Sequence, residues 1–119
     1  MPSSNMKPDD RVRLRHMLDA ALEIQQYVQA SKPEDLTQDR KLVHSLVRLL
    51  EIIGEAAYQM NPDARAEVSG LPWDKVIAMR HRLVHAYFDI NLDILWTTVK
   101  EGLPPLITAI EQLALNSVD

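Results

Sequence analysis

Apolar residues return at alternating intervals of three and four along four stretches of this chain, which is the period of one buried face of an α-helix. The first stripe is Leu14, Met17, Ala21, Ile24 and Val28. Asp9 or Asp10 is placed to cap its start, and "ASKPED" ends it, because Lys32 precedes a proline and is pushed out of helical backbone. A short helical turn is expected over Pro33–Leu36, with Ser31 as cap and Glu34 completing a capping box. The second stripe runs Leu42, Leu46, Leu49, Ile53, Ala56 and Met60, flanked by Val43, Leu50 and Ala57, and stops at Asn61-Pro62. Gly54 interrupts it at a cost of ~1 kcal/mol against Ala. It reads either as an incidental surface glycine or as a point where a neighbouring helix comes close. The connector "PDARAEVSGLP" has room for one short helix. A third long helix opens at Pro72 or Trp73 and runs to about Phe88. "DIN" leads into the fourth, capped by Asn91, whose stripe is Leu92, Leu95, Val99, Leu103, Leu106, Ile110 and Leu113. This stripe stays in phase through Pro104-Pro105, so one kinked helix is expected there rather than two.

The pattern predicts an all-α fold: an antiparallel helical bundle of four main helices with a kinked C-terminal helix. At 119 residues, and with no repeat or linker, residues 1–119 form one domain, with 1–8 expected to be flexible. Apolar residues make up 46 % and charged residues 25 %, so a packed core is expected and disorder is not. Cysteine is absent, which removes disulfides, thiolate metal sites and a cysteine nucleophile, and suits a reducing cytoplasm. The opening "MPSSNMKPDDRVRLR" lacks the apolar centre of a secretory signal, and no apolar run approaches the ~20 residues that span a bilayer. A soluble, cytoplasmic protein without membrane contact is the expectation. The net charge of −4 argues against a general nucleic-acid binder, so any phosphate chemistry must rest on a local patch.

That patch is "MRHRLVHAYF", residues 79–88. The third stripe reads Trp73, Val76, Arg80, Leu83, Tyr87, so an arginine occupies a position where a core residue belongs. Desolvating an unpaired guanidinium is costly. Either Arg80 pairs with Glu51 or Glu55 of the second helix, or the stripe faces a cleft or a subunit interface. At ~100° per residue Arg80 and Tyr87 fall within about 20° of each other, whereas Arg80 and His85 are about 140° apart. Arg80 and His85 can therefore share a ligand only if the long Arg side chain curls round, the helix ends loosely, or a second copy contributes. A two-fold dimer with both motifs at one cleft would also double the local positive charge. His81 and His85, at i and i+4, have the spacing of a metal pair, but Arg82 beside them offers no ligand and repels a cation, so no metal or other cofactor is expected. A surface or a satisfied-core position is expected for His16 and His44, and a solvated face for "RVRLR" (11–15), with phosphate contact as the lesser reading.

Arg80, His85 and Tyr87 together resemble the R-x4-H-x-Y signature of HepT-like toxins, members of the HEPN ribonuclease superfamily. The resemblance extends over about residues 10–115: "LLEIIGEAA" (49–57), "LPWDKVIAMRHRLVHAYFDI" (71–90) and "LPPL" (103–106) are similar, in order and spacing, to blocks of that family. One departure is His81, where the family commonly carries Asn. The resemblance implies a helical domain that forms a homodimer with its motifs at a shared cleft. It implies a metal-independent endoribonuclease, the toxin of a toxin–antitoxin system, restrained by a cognate minimal nucleotidyltransferase antitoxin that transfers AMP to the motif tyrosine, here Tyr87.

The residue types suit that chemistry. RNA carries its own nucleophile, the 2′-hydroxyl, so no metal-bound water is required. Histidine, with an ordinary pKa of ~6.5, exchanges protons near neutrality. The guanidinium fork matches phosphate oxygens. His85 is thus expected as general base or acid, Arg80 as phosphate clamp, and His81 with Arg82 as phosphate-binding accessories. A non-catalytic helical partner of a nucleotidyltransferase, touching nucleotide phosphate and cutting nothing, is the alternative.

Overall fold

The computed structural model describes residues 6–85 and 90–116, of which 80–85 and 114–116 are described as backbone only. The described residues contain α1 (Pro8–Gln29), α2 (Asp35–Gln38), α3 (Arg40–Gln59), α4 (Pro62–Glu67), α5 (Trp73–His85), α6 (Leu92–Thr97), a π-helical segment (Thr98–Gly102) and α7 (Leu103–Asn116), and no strand. The fold is all-α, built on four long helical segments: α1, α3, α5 and the run α6–π–α7.

Each stripe read from the sequence lies on the core where it is described, with Leu42 and Trp73 half-buried at its edge. Met17, Ala21 and Ile24 of α1 and Leu46 and Ala57 of α3 are fully enclosed. Leu95, Val99, Leu103, Leu106 and Ile110 line the same core from the C-terminal run, and Leu92 and Leu113 are half-buried at its ends. α3 packs between α1 and α5, while α7 and the π segment close over α1. Gly54 is buried on α3, which fits the close-approach reading and removes the surface one.

Helix ends follow local chemistry, with corrections. Asp39 caps α3 by accepting from the Leu42 N–H at 3.1 Å, and Asn91 caps α6 by accepting from the Ile94 N–H at 3.1 Å. The expected Ser31/Glu34 capping box does not form. The short helix begins two residues later, at Asp35, whose carboxylate reaches back to accept from the Lys32 N–H at 2.8 Å and so takes, one residue further on, the role expected of Glu34. Neither Asp9 nor Asp10 is the N-cap of α1. That position is Lys7, whose ammonium has no acceptor to offer the first turn, while Pro8 behind it has no N–H of its own to satisfy. The packed structure also starts earlier than expected, since Met6 is buried and joins the core. Gly70, with φ at +85°, makes the left-handed turn into α5 that a side chain would strain. The disturbance expected at Pro104-Pro105 takes the form of the π segment just before them. Neither proline has an N–H, and each ring would press on the carbonyl four residues back, at Lys100 and Glu101. Widening the turn there relieves that contact without breaking the helical run.

Asp10 does something else. It is 1 % exposed, and its carboxylate accepts from the backbone N–H of Asn61 at 3.2 Å and the side-chain amide of Asn61 at 3.0 Å. Asn61 is the residue that opens α4, so this contact ties the start of α1 to the end of α3 and sets those two helices antiparallel. Burial works against ionisation of Asp10, but the Asn61 hydrogen bonds, helped by the charges of Arg13 (3.6 Å) and Lys7, hold its pKa below the ordinary value. A depressed folded-state pKa contributes stability above the unfolded value of 3.8, and that contribution is lost as pH falls through the folded value. Asp10→Ala is expected to lower unfolding free energy by about 2 kcal/mol at pH 7, since it removes charge-assisted bonds and strands the Asn61 donors. Urea titrations of both proteins should show the gap narrowing in strong acid. An undiminished gap there would sink the assignment.

Candidate active site on the fifth helix

α5 is positioned from its N-terminal end. The Pro72 carbonyl accepts from the N–H groups of Lys75 and Val76, and the Trp73 indole N–H reaches the Val68 carbonyl at 3.4 Å. Val76 is buried, with Ile77 and Met79 half-buried beside it, and these residues seat the helix on α3. The first two turns thus behave as the stripe requires, which fixes the direction in which the helix carries the motif.

Arg80, His81, Arg82 and His85 all lie on α5, and their side chains are outside the described residues, as is Tyr87 altogether. The helix is unbroken through His85, so between Arg80 and His85 a loose helix end is not available. Their backbone positions stay about 140° apart. Of the three ways for that pair to meet, reach of the arginine side chain or a second copy of the chain are left. His81 and His85 lie one turn apart on a common face. The suggested pairing of Arg80 with Glu51 or Glu55 also falls outside the described residues. Both glutamates are half-buried on α3, and Glu55 accepts from the Gln59 side-chain amide at 2.9 Å.

Beside α5 runs a groove of about 490 Å³, walled by Leu50 and Ile53 of α3, Val76 and Met79 of α5, and Leu103 and Leu106 of α7. Lys75 of α5 and Thr97, Thr98 and Glu101 at and beside the π segment are also among its lining residues. Lys75, Met79 and Arg82 are spaced i, i+4 and i+7, so the groove-lining positions and Arg82 share one stripe of the helix. The sequence alone does not reveal this groove, because its far wall comes from a segment more than twenty residues further on. The repeat of cations at 75 and 82 is its only trace.

Other positions read from the sequence are peripheral. His16 and His44 are exposed, which selects the surface alternative over a satisfied-core one. In "RVRLR" Arg11, Val12 and Arg15 face solvent, Leu14 enters the core, and Arg13 pairs with Asp10. Among the described residues no helix is long and apolar enough to cross a membrane.

Comparison with known proteins gives these positions a family. The model of the family described as "Ribonuclease HepT-like" matches residues 17–113, and the chain belongs to that family. It is 34 % identical over 108 residues to the "Probable ribonuclease HepT" of Thermococcus cleftensis, an alignment covering 91 % of this chain and 98 % of the relative. It is 33 % identical over 103 residues to a "Putative RNase" of Caldanaerobacter subterraneus subsp. tengcongensis, covering 87 % and 92 % of the two chains. A "Putative RNase" of Methanocaldococcus jannaschii is 30 % identical over 105 residues, covering 88 % and 96 %. No solved structure gives a significant match.

Proposed function

We propose that this protein is an endoribonuclease that cuts RNA without a metal ion, with Arg80 and His85 at its centre. Membership of a ribonuclease family over residues 17–113, with Arg80 and His85 both held on one unbroken helix, is the observation that supports this reading. The 2′-oxygen attacks the adjacent phosphorus, the bond to the 5′-oxygen breaks, and the products are a 2′,3′-cyclic phosphate and a 5′-hydroxyl. His85 takes the proton from the 2′-hydroxyl or gives one to the departing 5′-oxygen. Arg80 neutralises the phosphorane that forms between. His81 and Arg82 add donors to the same phosphate.

Two protomers bring their motifs to one cleft, which joins groups that a single helix holds apart. In this reading the protein is the toxin of a cytoplasmic toxin–antitoxin system. A nucleotidyltransferase antitoxin silences it by attaching AMP to Tyr87, placing bulk and negative charge where the RNA backbone must enter.

The test is cleavage of RNA in EDTA by wild type, Arg80→Ala and His85→Ala, with folding checked by circular dichroism. Cutting by wild type and its loss in both variants is expected, with cyclic phosphate ends on the products. Intact RNA together with tight nucleotidyltransferase binding would make the chain a binding module, and activity that needs added zinc would restore the metal pair. Co-expression with the nucleotidyltransferase should add adenylate mass to wild type and none to Tyr87→Phe. Adenylate on the phenylalanine variant would remove Tyr87 from the scheme.

A further inference from the structure

The motif rides on α5, and one turn sets how that helix enters the fold. α4 gives way to Val68, and Trp73 opens α5. Between them Gly70, at φ +85°, reverses the chain, and buried Val68 and Leu71 hold the turn on the core. The Trp73 indole N–H donates back to the Val68 carbonyl at 3.4 Å, and its backbone N–H to the Leu71 carbonyl at 2.9 Å. The far end of α4 is fixed as well, through Asn61 and the buried Asp10. Among the described residues, the indole bond is the one side-chain hydrogen bond that α5 makes to another part of the chain. The other contacts that seat α5 on α3, from Val76, Ile77 and Met79, are apolar. Apolar contact has no preferred direction and lets a helix turn slightly about its axis, whereas a hydrogen bond weakens steeply off line. Trp73 and Arg80 are seven residues apart, so they leave the helix within about 20° of each other.

We propose that Trp73 is a positioning residue: its indole N–H, anchored on the Val68 carbonyl, fixes the rotation of α5 about its own axis and so aims positions 80 and 85. The effect on cleavage rests on the ribonuclease reading; the anchor does not. A rotation of about 20° moves a Cα by about 0.8 Å at the helix radius, and the end of a long side chain by several times as much. Misplacing reacting groups by ~1 Å costs up to about a hundredfold in rate. The ring and its N–H do separate work. The ring, half-buried against the core, holds the helix down, and the N–H sets its angle.

Trp73→Ala would remove both and loosen the bundle, so the test uses Trp73→Phe beside a protein with 3-benzothienylalanine at position 73, which has the shape of tryptophan with sulfur in place of the N–H. The chain has no cysteine, so cysteines introduced in pairs can carry nitroxide labels without competition. One pair joins Ala78, exposed on α5, to His44, exposed on α3, and a control pair joins His44 to His16 on α1. In both altered proteins the 78–44 distance is expected to shift or broaden by about 2 Å or more, while the 44–16 distance stays as in wild type. On RNA, kcat should fall about tenfold with KM within about twofold. In an Arg80→Ala background the same changes should cost less than about threefold, because an absent side chain cannot be misaimed. A 78–44 distance that does not move would overturn the proposal whether or not the protein cuts RNA, and so would a 44–16 distance that moves with it. A full tenfold loss in the Arg80→Ala background would leave Trp73 as a packing residue and likewise overturn its positioning role. A moved 78–44 distance in a protein whose wild type cuts nothing would keep the anchor and remove the nuclease.

Discussion

Replacing His85 with alanine is expected to lower the rate of RNA cleavage by about 10²–10⁴, the range that general acid–base catalysis supplies. The loss should fall on kcat more than on KM, because in the proposed mechanism His85 moves a proton in the transition state while substrate binding rests on other groups. Arg80→Ala should cost as much or more, since a phosphorane left without its clamp is an uncompensated charge in the cleft. Arg80→Lys keeps the charge but not the fork, so recovery of only part of the activity is expected. The pH profile carries a further signature: the limb that belongs to His85 should disappear in His85→Ala. Single-turnover rates on a defined RNA, across pH and in EDTA, would check all of this. A variant lacking His85 that cuts as fast as wild type would remove the histidine from the chemistry.

Leu46→Ala should be the most damaging change to the fold itself. Leu46 is fully enclosed at the middle of α3, the helix that packs against both α1 and α5. Truncation removes buried methyl groups and leaves a cavity that three rigid helices cannot collapse, so a loss of about 2–5 kcal/mol is expected. That is a large part of the stability of a domain this size. His44→Ala, two residues earlier and on the exposed side of the same helix, should shift stability by no more than about 0.5 kcal/mol. Urea titration of the two variants gives the contrast directly. Similar losses in both would mean that α3 does not carry its load through the face described.

The proposed catalytic step and the stability of the bundle meet at α5. Val76 and Met79 belong to the packing of this helix, and Arg80 follows at once, so any loosening of the α3–α5 contact displaces the motif as well. Substitutions at Val76 should for that reason reduce activity beyond what their loss of stability predicts.

Much of this was legible before any coordinates. The stripes through Met17, Leu46 and Leu106 name the buried faces of three long helices, because burial of a helix face imposes a period that local spacing records. Asn91 was legible as a cap for the same reason: its bond partner, Ile94, is three residues away. Asp10 was misread as a cap, since the groups that satisfy it are fifty-one residues away at Asn61. The Ser31/Glu34 box failed because the Ser31 N–H is taken by the Val28 carbonyl at the end of α1, and Asp35 reaches back to the Lys32 N–H instead. Arg80 was visible as chemistry out of place on a core stripe, and His85 and Tyr87 joined it through the family motif that they resemble. The groove with Lys75 and Glu101 was not.

The sequence by itself determined the helices, their buried faces and the residue types available for phosphate chemistry, because each depends on neighbours within one or two turns. Only the tertiary structure decided that a buried carboxylate joins α1 to α4, that two prolines are absorbed by a π segment, and that α3, α5 and the C-terminal run line one groove. Those outcomes depend on groups far apart in the chain meeting in space, and periodicity carries no record of which distant partner a side chain will find.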